Sequence, residues 1–155
     1  MNDLNSSTTG YDTYASESNP FEPIGRPSSL GTAFTGNFNG NYKKIEDINY
    51  DTSQESSLFG GTDTGAVLGN LSIINATGTG DGNYPSLFVS YAEGDTKIDN
   101  IYVQGFINST SDYQGLLIGR EYSSSATINN VTVNGTIINS ASCSLLDFNS
   151  LWYSK

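Results

Sequence analysis

Residues 125–140 read SATINNVTVNGTIINS, and two stretches of similar sequence precede them at intervals of about 30 residues. Residues 95–110 read DTKIDNIYVQGFINST, and residues 65–80 read GAVLGNLSIINATGTG. A repeat with a period between about 20 and 50 residues is typical of folds in which successive coils stack. No charged residue occupies one fixed place in all three copies, and the chain contains no histidine. The pattern therefore indicates a structural repeat rather than a recurring catalytic site.

Aligning the copies brings apolar residues into shared columns. The columns contain Leu68, Ile98 and Ile128; Leu71, Ile101 and Val131; and Ile73, Val103 and Val133. A weaker earlier copy, KKIEDINYD at 43–51, places Ile45 in the first column and Ile48 in the second. Apolar residues within VTVNGTI and IYVQGFI recur with a spacing of two, the period of a half-buried strand. We therefore predict strands and almost no helix.

A second motif occupies the other half of each period. Its copies lie at 57–60, 86–89, 115–119 and 144–146. A single coil cannot bury its own apolar face, but coils stacked at an inter-strand distance of about 4.8 Å place equivalent side chains on one another. We predict an all-β protein, a parallel β-helix (β-solenoid) of about four to five coils with about 30 residues in each.

The repeats are expected to occupy residues 34–148. Residues 1–33 are polar and lack the repeat, so we predict an N-terminal segment that caps one end of the solenoid, where bare strand edges would promote aggregation. Residues 149–155 are predicted to form a C-terminal tail or cap. Three aromatic residues at this end of the chain are expected either to cover the end of the core or to lead into further structure: Phe148, Trp152 and Tyr153.

A polar column runs between the first two apolar columns. It contains Asn70, Asn100 and Asn130, and the weaker copy adds Asp47. The apolar residues on either side are three positions apart, so the strand alternation breaks there. Asparagine tolerates left-handed backbone geometry, and its amide can bond to the next asparagine in a stack. We predict a structural ladder at a corner of the coil, with a ligand-binding row as the alternative.

Composition limits the classes of partner. The chain has 155 residues, with 6 Lys and Arg against 16 Asp and Glu and a formal charge of −10. Such a surface repels phosphate backbones and opposes binding to anionic membranes, so we expect no nucleic-acid partner. No apolar run approaches the length that spans a bilayer, so we expect no membrane insertion by this segment. Charged residues make up only 14%, while Asn, Ser, Thr, Gly and Tyr are abundant, which favours an extracellular location. The first residues lack a signal peptide, and we expect a fragment of a longer exported protein.

Several motifs together resemble a family. FEPIG (21–25), FTGNFNGNYKKIEDINY (34–50), SLFGGTDTGAVLGNLSI (57–73) and GLLIG (115–119) are similar to the GLUG-motif repeat regions of large bacterial and archaeal surface proteins. The resemblance covers about residues 21–140. It implies a right-handed parallel β-helix within a longer secreted or cell-wall-attached, often adhesin-like protein. It implies no catalytic residues, because the repeats of that family are scaffolding.

Some residues are candidates for ligand chemistry. Asp63, Asp81 and Asp95 lie in Gly-rich turns and are calcium candidates, although the spacing of a calcium loop is absent and solvated turns are favoured. We otherwise expect no cofactor and no metal. Three further asparagines are candidates for N-glycosylation because each begins an Asn-x-Ser/Thr sequence: Asn75, Asn108 and Asn134.

An enzyme is disfavoured on the residues. The missing histidine removes the usual nucleophile triads and proton shuttles, and the lone Cys143 is expected to be a small buried residue. The acidic residues Asp99, Asp112 and Glu121 fall in no clear column, and Arg120 is isolated. Several tyrosines are candidates for a carbohydrate-stacking surface or for filler on an outer sheet face: Tyr84, Tyr91, Tyr102, Tyr113 and Tyr122.

We therefore predict a non-catalytic module at the cell surface that spaces, assembles or adheres. Its expected partners are a glycan or protein on another surface, or copies of itself. The alternatives are a subunit of a self-assembling surface filament and a carbohydrate-active β-helix enzyme.

Overall fold

The computed structural model describes residues 2–26, 29, 31–51, 56–79, 82–122, 126–138 and 143–144. The described chain is almost entirely strand and turn, with one short helix, α1, at Tyr11–Tyr14. The strands are β1 (Asn37–Glu46), β2 (Asn49–Asp51), β3 (Phe59–Thr62), β4 (Val67–Thr79), β5 (Val89–Glu93), β6 (Lys97–Asn108), β7 (Gln114–Gly115), β8 (Ile118–Tyr122), β9 (Thr127–Ile138) and β10 (Cys143–Ser144). No helix within these ranges is long and apolar enough to cross a membrane.

The strands form two main parallel sheets that the chain visits alternately. The long sheet has the order β1-β4-β6-β9, with β2 beside β4, and the short sheet has the order β3-β5-β8. A third parallel pair joins β7 and β10. This arrangement is a parallel β-solenoid, as predicted, and its right-handed sense stays a prediction of the family resemblance.

The solenoid has about three turns, fewer than the four to five predicted. One reason is that the weak copy at 43–51 does not form a coil of its own. It belongs to β1 and β2, and because β1 also contains Phe38, both lie in the first layer. The motif at 144–146 falls outside the described residues apart from Ser144, so the last expected coil adds only the backbone of β10. The side chain of Cys143 and the aromatics of the predicted C-terminal cap, Phe148, Trp152 and Tyr153, also lie outside the described residues.

The three apolar columns are paired in register along the long sheet. The pairs are Leu68 with Ile98 and Ile98 with Ile128; Leu71 with Ile101 and Ile101 with Val131; and Ile73 with Val103 and Val103 with Val133. Leu68 and Ile98 are fully buried, and Ile128, in the last layer of the sheet, is half-buried. Full burial of such a side chain contributes about 1.5–3 kcal/mol before conformational entropy is subtracted.

The first copy of the repeat lies in a different register from the one predicted. Phe38 pairs with Leu68, and Ile45 pairs with Ile73 instead of with the first column. The register shifts between Asn39 and Lys43, where β1 spans four positions against two in β4. Because of the bulge at residues 40–42, the residues that follow it, including Ile48, are shifted in register relative to the predicted columns.

The core lies between the long and short sheets. The strands of the short sheet and the residues just before them contribute buried apolar side chains in adjacent layers: Leu58, Phe59, Leu87, Phe88, Val89, Leu116, Leu117 and Ile118. Phe59 connects the sheets, because its ring centre is 5.2 Å from that of Phe38 and 5.7 Å from that of Phe88. Gly105 is required by close approach, since a Cβ there would overlap the carbonyl oxygen of Ala76 and the side chain of Leu87.

The N-terminal segment packs on the first coil. Leu4 forms a parallel bridge with Ile45, and Phe21 forms one with Tyr50. The Tyr11 hydroxyl donates a hydrogen bond of 2.5 Å to the backbone oxygen of Asp47. Residues 2–26 thus cover part of the first layer, at the end of the solenoid where a cap was expected.

Candidate functional site

The asparagine row consists of Asn70, Asn100 and Asn130, which occupy one corner of successive coils. Their φ angles are 58°, 59° and 49°, so each adopts the left-handed geometry that asparagine tolerates better than most residues. The Asn100 amide donates to Asn70 Oδ1 at 3.0 Å, and the Asn70 amide donates to Asn39 Oδ1 at 3.1 Å. The side chains bond mainly to one another, which favours the structural interpretation over a ligand-binding row.

The ladder departs from the prediction at both ends. Asn130 Nδ2 lies 3.4 Å from Asp99 Oδ1 rather than bonding to Asn100. Asp47 does not belong to the row, because the bulge in β1 places it after the pair of Glu46 with Ile74. The side chain of β1 that bonds to Asn70 is that of Asn39, which pairs with Gly69.

Asp47 lies at a second corner, beside Asn75. The φ angles are 63° at Asp47 and 54° at Asn75, and the Asn75 amide donates to Asp47 Oδ1 at 2.8 Å. The Ser6 hydroxyl donates to Asp47 Oδ2 at 2.9 Å, which ties the N-terminal segment to this corner. These bonds, from Asn75 first and Ser6 second, lower the pKa of the Asp47 carboxyl from its ordinary value.

The calcium candidates do not assemble into a common site within the described residues. Asp63 Oδ1 accepts a hydrogen bond of 2.6 Å from the Thr64 backbone N–H, as in an ordinary turn. Asp95 is exposed in the turn after β5, and Asp81 lies outside the described residues. In the part of the chain that the structure describes, no three acidic or cysteine side chains group as metal ligands would.

The glycosylation candidates differ in their surroundings. Asn75 is exposed, but its amide already bonds to Asp47, and Asn134 is exposed on β9. Asn108 is half-buried at the end of β6. Attachment of a glycan to any of the three stays a prediction, and Asn134 is the residue where the described contacts oppose it least.

The acidic residues considered for catalysis are separated between sheets. Asp99 lies on β6 in the long sheet, where it accepts the contact from Asn130. Glu121 lies on β8 in the short sheet and accepts a hydrogen bond of 2.7 Å from the Ala126 backbone N–H. Asp112 lies in the loop before β7. The absence of an enzyme activity stays a prediction.

Four of the five tyrosines named from the sequence surround Arg120. We call this group the tyrosine–arginine cluster: Tyr84, Tyr91, Tyr113, Arg120 and Tyr122. The guanidinium carbon lies 4.9 Å from the ring centre of Tyr113 and 5.0 Å from that of Tyr84. Its distances to Tyr122 and Tyr91 are 5.5 and 5.8 Å, so all four rings are within the range of a cation–π contact. Tyr102 lies elsewhere, on the long sheet.

Coil stacking builds the tyrosine–arginine cluster. Tyr91 and Arg120 are paired neighbours on β5 and β8. Tyr84 and Tyr113 each lie two residues before the bridged pair Ser86 and Gly115, so they occupy equivalent positions in consecutive coils. The 29-residue step between them is visible in the sequence, but nothing in the sequence pattern assigned Arg120 to the same surface.

The rings form a chain around the guanidinium. Centre-to-centre distances are 6.0 Å from Tyr113 to Tyr84, 5.1 Å from Tyr84 to Tyr91 and 5.8 Å from Tyr91 to Tyr122. Arg120 Nη1 donates a hydrogen bond of 2.6 Å to the Tyr84 hydroxyl. Burial raises the pKa of Tyr91, and the positive charge of Arg120 opposes that rise. The result is a partly exposed aromatic surface with a cation at its centre.

Fold and surface together define a class: a parallel β-solenoid module that carries an aromatic surface on one of its sheets. Halomucin of Haloquadratum walsbyi, a large archaeal cell-surface protein, is 32% identical to this chain over 116 residues. That similarity covers 74% of this chain but only 1% of halomucin. No family model matches the chain, so the likeness to GLUG repeats stays a prediction, and no solved structure matches it.

Proposed function

We propose that this chain is a non-catalytic module of an extracellular or cell-surface protein, whose coils space and present a surface that adheres to a glycan or another protein. The adhesin-like role and the right-handed winding are parts of this proposal. The observation that carries it is the coil stack itself, in which repeated positions serve packing and one outer surface gathers exposed aromatic residues.

The halomucin similarity supports the surface location. It extends over most of the chain, and halomucin is a cell-surface protein. Because the similar part is a small fraction of halomucin, the similarity supports a module within a surface protein rather than the activity of a whole protein. The acidic, charge-poor composition supports the same proposal.

The non-catalytic part of the proposal is supported by the positions of the acidic residues. Glycoside hydrolysis by the usual mechanism needs two carboxyl groups flanking one bond. Asp99 and Glu121 lie on different sheets, and each accepts a hydrogen bond from a neighbouring residue.

Labelling of intact cells tests the location. Antibodies raised against this module should stain intact cells that produce the full-length protein, and protease added outside those cells should remove the stain. Staining only after permeabilisation would overturn the proposal. Incubation with a panel of polysaccharides should release no reducing ends, and release that an Asp99 or Glu121 substitution abolishes would establish an enzyme instead.

Self-assembly is a second candidate, favoured by the outer edge of the long sheet. Ile128, Val131 and Val133 on β9 are half-buried, whereas their equivalents on β6 are buried. Within the described residues β9 is an edge strand of the long sheet, and pairing of that edge with a coil of a second copy would bury these side chains, as a filament requires. Sedimentation at increasing concentration tests this candidate: growth of the sedimentation coefficient supports it, and a constant monomer value rejects it.

A further inference from the structure

We propose that the tyrosine–arginine cluster is a binding site for an acidic saccharide, in which a sugar ring stacks on the outer tyrosines and a carboxylate or sulfate group accepts hydrogen bonds from Arg120. This inference rests on the proposed adhesive function and names the class of ligand and the residues that bind it.

The exposure of the rings fits stacking of a sugar. Tyr113 and Tyr122 are 44% and 49% exposed, whereas Tyr91 between them is 8% exposed. The inner ring thus forms the floor of the surface and the outer rings form its edges. Tyrosine offers an apolar ring face and a polar hydroxyl, which match the apolar C–H face and the hydroxyl groups of a pyranose ring.

Arg120 gives the surface its preference for an anion. A guanidinium carries five N–H donors in a planar fork that matches carboxylates and sulfates, and the described bond to Tyr84 uses one of them. The other described contacts of the guanidinium are with ring faces, which attract the charge without accepting N–H bonds in the geometry of an oxygen anion.

Of the negative charge of the molecule, only the part close to the cluster opposes this contact, because interactions between exposed charges are largely screened beyond about 8 Å at physiological ionic strength. Glu93 belongs to that part, since it pairs with Tyr122 and its charge acts on Tyr91. A bidentate contact between a guanidinium and a carboxylate acts at hydrogen-bond distance and is stronger than a neutral hydrogen bond. The local contact therefore decides the preference.

Backbone geometry is a further observation at this surface. Tyr84 and Tyr113 have φ angles of 52° and 57°, a region that bulky side chains rarely occupy and that asparagine fills more easily. Strained backbone conformations concentrate at binding and catalytic sites, where the surrounding structure holds them. Tyr84 and Tyr113 lie in the tyrosine–arginine cluster, at equivalent corners of consecutive coils, whereas the third tyrosine with this geometry, Tyr42, lies on β1 outside the cluster.

A purely structural role would explain the ring contacts but not the exposure. If the rings served only to cover the short sheet, packing would favour burial of their faces, and a residue suited to left-handed geometry would serve better at Tyr113. The structure instead leaves the outer rings half-exposed on either side of a cation, in a chain with only 6 basic residues. This combination is typical of a recognition surface.

The test is a calorimetric titration of the full chain with three oligosaccharides of matched length. These are an oligogalacturonate, a sulfated oligosaccharide and a neutral oligogalactose. The variants Tyr113→Asn and Arg120→Gln remove one outer ring and the cation. The matched control is Tyr42→Asn, because Tyr42 is 75% exposed with a φ of 57° but lies on β1, in the other sheet.

We expect the wild-type chain and Tyr42→Asn to bind at least one acidic probe with the same affinity, and to bind the neutral probe at least about tenfold more weakly. Tyr113→Asn and Arg120→Gln should each weaken binding of the acidic probe by about tenfold or more, while thermal unfolding shows that both variants are folded. Should Arg120→Gln fail to fold, Tyr113→Asn still decides the question.

The inference is overturned if no acidic probe binds, if the neutral probe binds equally well, or if the two cluster variants bind as the wild type does. In each of these cases, surface staining of intact cells would leave the proposed function standing. Failure of that staining would remove the proposed function instead, so the two failures are distinguishable.

Discussion

Two rows of residues turn corners of the same solenoid with the same unusual backbone geometry but different chemistry. The asparagine row has φ angles of 58°, 59° and 49°, and the tyrosine row, Tyr84 and Tyr113, has 52° and 57°. Asparagine suits this geometry, and its amides bond along the stack. Tyrosine does not suit it, and its rings face a cation and solvent. The same left-handed backbone geometry therefore serves stability at one corner and, by our proposal, ligand recognition at the other.

The largest effect is expected at the middle of the asparagine row. Asn100→Ala removes the amide that bonds to Asn70 and places a Cβ-bearing residue without a compensating bond at φ 59°. Left-handed geometry costs about 1–2 kcal/mol for such a residue, and a lost hydrogen bond costs about 1 kcal/mol. We expect a loss of about 2 kcal/mol in the free energy of unfolding, measured with urea.

Asn100→Gly is the matched control for that substitution. Glycine accepts the backbone geometry, so only the side-chain bond is lost and the expected cost is about 1 kcal/mol. Equal costs for the alanine and glycine variants would contradict the claim that left-handed geometry constrains this row.

The second prediction compares two tyrosines in the same strained geometry. Tyr42→Asn should stabilise the fold by up to about 1 kcal/mol, because it relieves strain at a residue that is 75% exposed. Tyr113→Asn relieves similar strain but loses the ring contacts with Tyr84 and Arg120, so its net effect should be near zero. Thermal unfolding of both variants measures the difference. If Tyr113→Asn is the more stabilising of the two, the ring contacts contribute nothing and the account of the cluster is wrong.

The smallest effect concerns the mixed corner of Asp47 and Asn75 and depends on pH. Hydrogen bonds from Asn75 and Ser6 lower the folded-state pKa of Asp47. The stability from this group is therefore present above the unfolded-state pKa of about 3.9 and is lost as pH falls through the folded-state value. The stability difference between wild type and Asp47→Asn should shrink from pH 7 to pH 3, by less than about 1 kcal/mol because the site is only half-buried.

Asp12→Asn is the matched control for replacing a carboxylate by an amide, since Asp12 lies in α1 and its carboxyl has no described hydrogen bond to Asn75 or Ser6. Its difference from wild type should change less with pH than that of Asp47→Asn. A difference for Asp47→Asn that grows on acidification would show that its bonds do not favour the ionised form.

The strands and core columns were predictable because apolar periodicity is a local property that stacking preserves. Leu68, Ile98 and Ile128 carry that signal in each copy, and their pairing follows from it. The first copy was placed wrongly because the bulge at 40–42 adds residues without changing the apolar pattern. A left-handed bulge leaves no such periodic signal, so the position of Asp47 could not be read from spacing.

The candidate site was only partly predictable for a different reason. The sequence indicated that the tyrosines could form a stacking surface, but it did not indicate a role for Arg120. That role depends on contacts with residues far away in the sequence, such as Tyr84, which is 36 positions away. Contacts between loops of consecutive coils depend on the register of the stack and on corner geometry. Neither property has a signature as regular as the apolar columns.

The central claim is that coils about 30 residues long stack in register, because both corner rows exist only in that arrangement. In a Cys143→Ser background, Lys97→Cys with Thr127→Cys joins two exposed residues that are direct neighbours on β6 and β9. Such neighbours are about 4.8 Å apart, within the range that a disulfide spans. We predict efficient cross-linking under mild oxidation for this pair and little for Lys97→Cys with Asn129→Cys, whose Cα atoms are about 8 Å apart. Equal or reversed yields would contradict the stacked register.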